Sequence, residues 1–221
     1  MSKFVISGYG KMGHMVEEEL LSRGLTDIVT SEDIRSVDPL LAKDAICIDF
    51  TTPAAFRANF PWIAEHFRAA VVGTTGWEDI SDEVFAAFER SGCALIWGSN
   101  FSIGVIATFA AISRASQILR GKAYSPSIEE VHHIHKLDAP SGTAKSMAAL
   151  VQEFLGEDAP ISSVREGEVP GTHTLELVSD VDRITIRHEA FSRKGFAKGA
   201  VEAALMTEGL SGIHEFKSLI I

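Results

Sequence analysis

The sequence concentrates proton-transferring side chains in one short segment near its middle. Three histidines and a lysine lie within five residues, namely His132, His133, His135 and Lys136. Histidine titrates near neutrality and can give or take a proton in a transition state. Lysine supplies a compact positive charge that binds carboxylates. The segment therefore predicts proton-transfer chemistry on an anionic substrate.

A predicted helix begins directly after this segment. Ser141, Gly142 and Thr143 occupy its first turn, where free N–H groups and hydroxyls can hold a carboxylate. The alternative for Ser141 is a purely structural role as the N-cap, which is common for serine at such a place. Together with the histidines and the lysine, this turn predicts a pocket for a small, negatively charged acid.

Strand geometry selects a pair of these residues. Alternate residues of a strand share a face, so His132, Ile134 and Lys136 are expected to project together. We therefore expect His132 and Lys136 to serve one reacting centre, and His133 to reach it only if the strand ends or bends there. A metal site is the alternative for such a cluster. We expect no metal, because Lys136 repels a cation and the spacing matches no H-E-x-x-H or C-x-x-C pattern.

A glycine-rich loop follows the first predicted strand. Its residues form a G-x-G-x-x-G run that opens a helix: Gly8, Tyr9, Gly10, Lys11, Met12 and Gly13. In a strand–loop–helix unit these glycines permit a tight turn and a close approach of the backbone to a pyrophosphate. The loop predicts a dinucleotide cofactor, and an ordinary glycine-rich turn is the alternative.

Further cofactor contacts are expected after later strands. Glu32, near the end of the second strand, is the preferred ligand for ribose hydroxyls, with Asp33 as the alternative. Arg35 could accept a 2′-phosphate, so both NADH and NADPH remain open. Two loops after the fourth and fifth strands lie where a nicotinamide would rest, although turn formation alone also explains them. They contain Gly73, Thr74 and Thr75, and Gly98, Ser99, Asn100 and Phe101.

The surrounding pattern predicts an α/β protein with two domains. Up to residue 101, short apolar runs alternate with amphipathic segments, which is typical of a Rossmann-like parallel sheet covered by helices. Later residues predict a mixed α+β domain: a helix over 103–120, an alternating run over 127–135, a helix over 141–154, and two strands around a turn at 179–182. We expect the last helix to return to the first domain. The predicted boundaries are 1–101 with 194–221, and 102–193.

Composition excludes several classes of protein. The 221 residues are 46% hydrophobic and carry a formal charge of −10, so nucleic acid is not expected as a partner. Two cysteines in apolar runs are too few for a disulfide framework or a zinc ribbon. No apolar run approaches ~18 residues, and no secretion signal opens the chain. We expect a cytoplasmic protein without a membrane partner.

The segment from Glu130 to Ala144 resembles a family signature. It matches E-x-H-H-x-x-K-x-D-x-P-S-G-T-A of the 4-hydroxy-tetrahydrodipicolinate reductase (dihydrodipicolinate reductase) family at every fixed position. Supporting matches extend from residue 8 to residue 200 and include the glycine loop, Ile48–Thr51, Gly73–Gly76, Asn100–Gly104 and Ser192–Ala200. The resemblance therefore covers nearly the whole chain.

The resemblance implies an oxidoreductase of diaminopimelate and lysine biosynthesis. Such an enzyme uses NADH or NADPH to reduce 4-hydroxy-tetrahydrodipicolinate to tetrahydrodipicolinate with loss of water. It implies a dinucleotide-binding domain and a central domain that binds the small dicarboxylate substrate and builds a homotetramer. It implies His132 as proton donor and Lys136 as the second catalytic group. The implied substrate ligands are His133, Ser141, Gly142 and Thr143.

The chain departs from the family pattern in three places. Its glycine loop is one residue shorter than usual, and the region between the first and third strands is compressed, so the ribose-binding acid cannot be aligned. Ile134 stands where the family often has a basic residue, which predicts weaker substrate affinity. Two other functions remain open from the residues alone: another nicotinamide enzyme that reduces an imine or keto acid, and a sensor that binds NAD(P) without turnover.

Overall fold

A computed structural model describes residues 2–221. These residues form two compact units. The first comprises residues 2–102 and Lys194–Ile220, and the second comprises Ile103–Arg193 with Ile221. Within residues 2–221 no helix combines the length and the apolar character needed to cross a membrane.

The first unit is built on a six-stranded parallel sheet. Numbered along the chain, its strands are β1 (Lys3–Ser7), β2 (Ile28–Ser31), β3 (Ala45–Asp49), β4 (Ala69–Val72), β5 (Ala94–Trp97) and β10 (Ile213–Glu215). Their order in the sheet is β10-β5-β4-β3-β1-β2. The helices are α1 (Lys11–Ser22), α2 (Pro39–Ala42), α3 (Pro53–His66), α4 (Ser81–Ser91), α7 (Lys194–Met206) and α8 (Phe216–Ile220). Short 3₁₀ turns lie at Ile34–Ser36 and Glu78–Ile80.

Helices cover this sheet because its strands are apolar on both faces. Every residue of β3 is buried, as expected for a strand inside a parallel sheet. Helices α3 and α4 contribute Phe56, Ile63 and Phe88 to the core on one face. Helix α7 packs against α1, β3 and β4. Helix α3 begins where Thr52 accepts a hydrogen bond from the Ala55 N–H at 3.2 Å and Pro53 occupies the first turn.

The second unit has a mixed four-stranded sheet. Its strands are β6 (Ser125–His132), β7 (Ile161–Arg165), β8 (Thr172–Val178) and β9 (Arg183–Glu189), in the order β7-β6-β8-β9. Strand β6 pairs parallel to β7 and antiparallel to β8, which pairs antiparallel to β9. Helices α5 (Ile103–Leu119) and α6 (Gly142–Phe154) pack on each other and share an apolar core with the sheet.

The two sheets confirm the predicted α/β fold class, including the antiparallel pair around the turn at 179–182. The sequence prediction missed four elements: β7, β10, α2 and α8. Strand β7 has the sequence ISSVR, whose polar centre hides a strand pattern, and the others have only three to five residues. Periodicity needs longer segments than these to be visible.

Candidate active site

One face of the four-stranded sheet changes from apolar to titratable along its length. Ile128 on β6 lies in the apolar core, and Glu130 and His132 follow it on the same face, two and four residues later. On β8, His173 pairs with Glu130, and on β9, His188 pairs with His173. The end of this face therefore gathers a carboxylate and three imidazoles next to the apolar core.

Glu130 is a buried carboxylate that stays ionised. Its side chain is 0% exposed, and both of its oxygens accept the Ser141 backbone N–H at 3.1 Å. Arg165 Nη2 donates to Oε1 at 3.2 Å. Burial raises the pKa of Glu130, but hydrogen bonds from Ser141, Ser163 and Arg165 outweigh it and lower the pKa to about 2.

His132 is held beside this carboxylate. Its Nδ1 atom lies 3.4 Å from Glu130 Oε2. Burial lowers the pKa of His132 below 6.5, and the nearby Glu130 charge partly opposes this effect. Its Nε2 atom faces Gly171, where an added Cβ would lie only 3.1 Å away. Because its pKa is lowered, the His132 ring is mainly neutral at pH 7. An anionic substrate beside the ring would favour its protonated form.

His173 completes the cluster. Its ring lies 5.0 Å from that of His132, and its Nε2 atom lies 3.1 Å from Ser141 Oγ. Burial is the main cause that lowers the pKa of His173 to about 4, and the neighbouring His132 adds to it. His173 and Arg165 were not among the predicted site residues, and Glu130 had no predicted role. The strand pattern of β8 and its pairing with β9 were predicted, but its pairing with β6 and the register of that pair were not.

The chain leaves β6 directly after His132. The His133 N–H donates to the Val169 carbonyl at 2.8 Å, and the Lys136 N–H donates to the His133 carbonyl at 3.1 Å, which closes a turn. The prediction that His132, Ile134 and Lys136 alternate on one strand face is therefore wrong. His133 is half-buried beside the strand end, whereas Ile134 is exposed. Lys136 Nζ instead lies 2.7 Å from Asp138 Oδ1.

The first turn of α6 begins at Ser141. Its hydroxyl accepts the Ala144 N–H at 3.2 Å and is buried, so this side chain fills the N-cap role that was the structural alternative. Gly142 is exposed and Thr143 half-buried. Gly142 and Thr143 are thus the accessible residues of this positively polarised helix end.

A metal ion is chemically possible at this cluster. Ligand atoms of Glu130, His132 and His173 lie within 4.8 Å of one another. The guanidinium of Arg165 already binds the same carboxylate, and its charge opposes that of a cation. The absence of a metal remains a prediction.

In the first unit, the predicted cofactor residues all follow carboxyl ends of parallel strands. The loop Gly8–Gly13 follows β1, Glu32 follows β2, Gly73–Thr75 follow β4, and Gly98–Phe101 follow β5. The strand order reverses between β1 and β3: β2 lies beyond β1 on one side, and β4 and β5 lie beyond β3 on the other. Open α/β sheets bind their ligands at such a point, outside the carboxyl ends of the strands.

The glycine loop is packed tightly enough to require glycine. Gly8 has φ +87°, and an added Cβ would lie 2.8 Å from the Phe50 carbonyl oxygen. A Cβ on Gly13 would clash with the Gly8 carbonyl. Gly10, Lys11 and Met12 are not buried. The loop therefore fits a pyrophosphate, which needs a close approach of the backbone at the start of α1.

The other predicted cofactor residues divide by exposure. Glu32 is exposed, whereas Asp33 accepts the Arg35 N–H at 3.2 Å as a cap, which leaves Glu32 the freer carboxylate. Thr74 and Phe101 have buried side chains and so offer mainly their backbone. Gly98 is buried as well, and the remaining residues are partly or fully exposed: Tyr9, Gly73, Thr75, Ser99 and Asn100.

Asp49, at the end of β3, was not among the predicted site residues. This carboxylate is 0% exposed and accepts hydrogen bonds from Thr74 Oγ1 at 2.6 Å and Thr51 Oγ1 at 2.9 Å. Burial raises its pKa despite these bonds. Asp49 therefore ties together the loops that follow β3 and β4.

Comparison with known proteins identifies the family. Residues 2–101 match the family model described as dihydrodipicolinate reductase, N-terminus, and residues 104–220 match the model for its C-terminus. A relative from Christiangramia forsetii named 4-hydroxy-tetrahydrodipicolinate reductase is 36% identical over 96% of this chain and 95% of its own length. A relative of the same name from Neisseria gonorrhoeae is 33% identical over 88% of this chain and 78% of its own.

A solved structure agrees with these matches at the level of the fold. Dipicolinate-bound dihydrodipicolinate reductase from Paenisporosarcina sp. TG-14 has a TM-score of 0.83 at 20% identity and covers 99% of both chains. The family predicted from the segment Glu130–Ala144 is thus confirmed. The chain belongs to the dihydrodipicolinate reductase family, whose curated members carry the name 4-hydroxy-tetrahydrodipicolinate reductase.

Proposed function

We propose that this chain reduces 4-hydroxy-tetrahydrodipicolinate to tetrahydrodipicolinate, with loss of water, using NADH or NADPH. The carrying observation is the cluster at the end of β6, where His132, the Lys136 loop and the start of α6 meet. Family membership names the reaction, and this cluster has the proton donor and the positive charges that the reaction needs.

A bound nicotinamide would supply the hydride. The glycine loop at Gly8–Gly13 would hold the pyrophosphate of the dinucleotide cofactor, and Glu32 would bind the ribose of its adenosine half. The exposed side chains of Thr75 and Ser99 lie at the carboxyl ends of β4 and β5, on the same edge of the sheet. These residues bind and orient, while the cofactor carries the redox step.

The second unit would bind the dicarboxylate and supply a proton. Lys136 and the N–H groups of Gly142 and Thr143 attract carboxylates in a protein of net negative charge. His133, half-buried beside the strand end, would add a further contact to a carboxylate. The substrate ring gains negative charge when it accepts the hydride. His132 would neutralise this charge by donating the proton on its Nε2 atom to the substrate. A positioned general acid accelerates a reaction by about 10²- to 10⁴-fold.

The test is to follow absorbance at 340 nm with substrate made by coupled synthesis. We expect NADH or NADPH to be consumed, and His132→Gln to lower kcat by about 10²-fold or more without changing the Kd of the cofactor. His135→Gln is the matched control, because His135 is exposed and pairs with Glu168 at 3.2 Å. Cofactor binding without consumption would contradict the proposal and favour a sensor. Faster reduction of a different imine or keto acid would favour the rival enzyme.

A homotetrameric assembly, implied by the family resemblance, and a cytoplasmic location, favoured by two free, buried cysteines, belong to the same proposal. Light scattering on the purified protein tests the first, with four chain masses expected. Cell fractionation tests the second. Titration of the purified enzyme with both nicotinamides decides which cofactor it prefers.

A further inference from the structure

The buried carboxylate of Glu130 and the half-buried guanidinium of Arg165 form an ion pair beside His132. The carboxylate receives the Ser141 N–H at the start of α6 and faces His132 at the end of β6. Arg165 also donates from Nη2 to the Asp138 carbonyl at 2.6 Å and from Nη1 to the Val164 carbonyl at 2.8 Å. The pair therefore connects the ends of β6 and β7, the loop that carries Lys136, and the first turn of α6.

We propose that Glu130 and Arg165 are a positioning pair that holds His132, the Lys136 loop and the start of α6 in one arrangement and balances the charge around His132. The proposal rests on the proposed function for what the arrangement achieves. Glu130 is 0% exposed, so it acts through these neighbours and not by touching substrate. Glu130 also needs Arg165, because a buried charge without its partner is strongly unfavourable.

The charges of Glu130 and Arg165 have opposite effects on the pKa of His132. The groups facing its ring are Glu130 on its own strand, Lys136 and Asp138 in the following loop, Arg165 on β7, and His173 on β8. The negative charge of Glu130 raises the pKa of His132, and the positive charge of Arg165 lowers it. Together they keep His132 responsive to the charge of an arriving substrate.

Because the two charges shift the pKa of His132 in opposite directions, the proposal can be tested without substrate. The wild type and the variants Glu130→Gln and Arg165→Gln are prepared with ¹³C-labelled histidine. The NMR signal of His132 is identified as the one that is lost in His132→Gln, and its pKa is measured by pH titration in each protein. We expect the pKa of His132 to fall in Glu130→Gln and to rise in Arg165→Gln. A merely structural role would shift it in one direction for both variants or leave it unchanged, and either outcome overturns the proposal.

Kinetics supply the second readout. Because both variants loosen the loop and the helix start, we expect each to lose roughly 10²-fold in kcat/KM while the Kd of NADH is unchanged. Glu129→Gln and Arg187→Gln are matched controls, since both side chains are exposed on the same sheet, and both should behave as wild type. Wild-type kcat/KM in Glu130→Gln would contradict the positioning role.

A third variant keeps the test decisive if Glu130→Gln does not fold. Glu130→Asp keeps the charge but shortens the side chain by one methylene. When Arg165→Gln is added to Glu130→Asp, the pKa of His132 should still rise. By itself, Glu130→Asp should raise KM more than it lowers kcat. If the wild type reduces no substrate but the two pKa shifts appear, the proposed function fails and the pair stands. If turnover is normal and the shifts are absent, only the pair fails.

Discussion

Gly171 keeps the space beside the expected proton donor free. An added Cβ would lie 3.1 Å from His132 Nε2 and 3.3 Å from its Cδ2 atom. Favourable contacts between such atoms lie near ~3.6 Å, so Gly171→Ala must move the ring by about 0.5 Å. A misplacement of ~1 Å can cost up to ~10²-fold in rate. We therefore expect kcat to fall about 10-fold, which corresponds to ~1.4 kcal/mol of activation free energy.

The same substitution also strains the backbone. Gly171 has φ +152°, a conformation that side chains rarely adopt, and such strain costs about 1–3 kcal/mol. In a chain of this size each kcal/mol lowers the melting temperature by roughly 2–4 °C. Stability and activity must therefore be measured separately, by thermal melts and by NADH oxidation at 340 nm well below the melting temperature.

A matched glycine in the same loop separates strain from steric contact. Gly167 also has positive φ, +47°, but an added Cβ would meet no atom within 4 Å. We expect Gly167→Ala to lower the melting temperature and leave kcat unchanged. If Gly171→Ala and Gly167→Ala have the same kcat, the reasoning about access to His132 Nε2 is refuted.

Three further predictions concern stability and cofactor binding. The pKa of His173 is about 4 in the folded chain against 6.5 when exposed, so the unfolded chain binds more protons between these values. The free energy of unfolding should then fall by about 3 kcal/mol from pH 6.5 to pH 4, and His173→Gln should flatten this dependence in thermal melts. Ser141→Ala removes the cap on the Ala144 N–H and should lower stability by about 1–2 kcal/mol in urea titrations. Gly199→Ala would place a Cβ in a clash with the Phe101 carbonyl, displacing the loop and raising the Kd of NADH, measured by fluorescence.

Each of these has a matched control. His214→Gln, at a partly exposed histidine, should leave the acid dependence of stability as it is. Ser162→Ala, at an exposed serine on β7, should leave stability unchanged. Gly195→Ala places its Cβ 3.6 Å from Ser102 Oγ, an ordinary contact, so the Kd of NADH should stay the same. A control that changes as much as its paired variant would contradict the stated cause.

Much of the first unit could be predicted from local sequence. Runs such as β3, buried at every residue, are apolar throughout because helices cover both faces of a parallel sheet. Apolar residues at helical spacing predict helices over Lys11–Arg23 and Pro53–Arg68, which end one and two residues beyond the observed α1 and α3. The short strand β10 was missed because three residues carry no period, and only pairing with β5 makes them a strand.

The site in the second unit was predictable only in part. The segment His132–Thr143 carries its chemistry in its residue types, so the proposed proton donor, the lysine and the start of the helix were recognisable. The end of β6 was not, because it depends on the loop after β7: the Val169 carbonyl takes the His133 N–H, and the Glu166 N–H donates to the His132 carbonyl. Without those bonds nothing in the sequence stops the alternation at His132.

The sequence by itself determined the family, the glycine loop and the histidine and lysine segment, because spacing between near neighbours follows from the chain alone. Tertiary structure decided which distant groups surround His132. Strand pairing placed His173 opposite Glu130 and Arg165 opposite His132. The choice of partner strand and register depends on burying the apolar face that Ile128 and Leu175 share. The charges around His132, the proposed proton donor, are thus set by how the core packs.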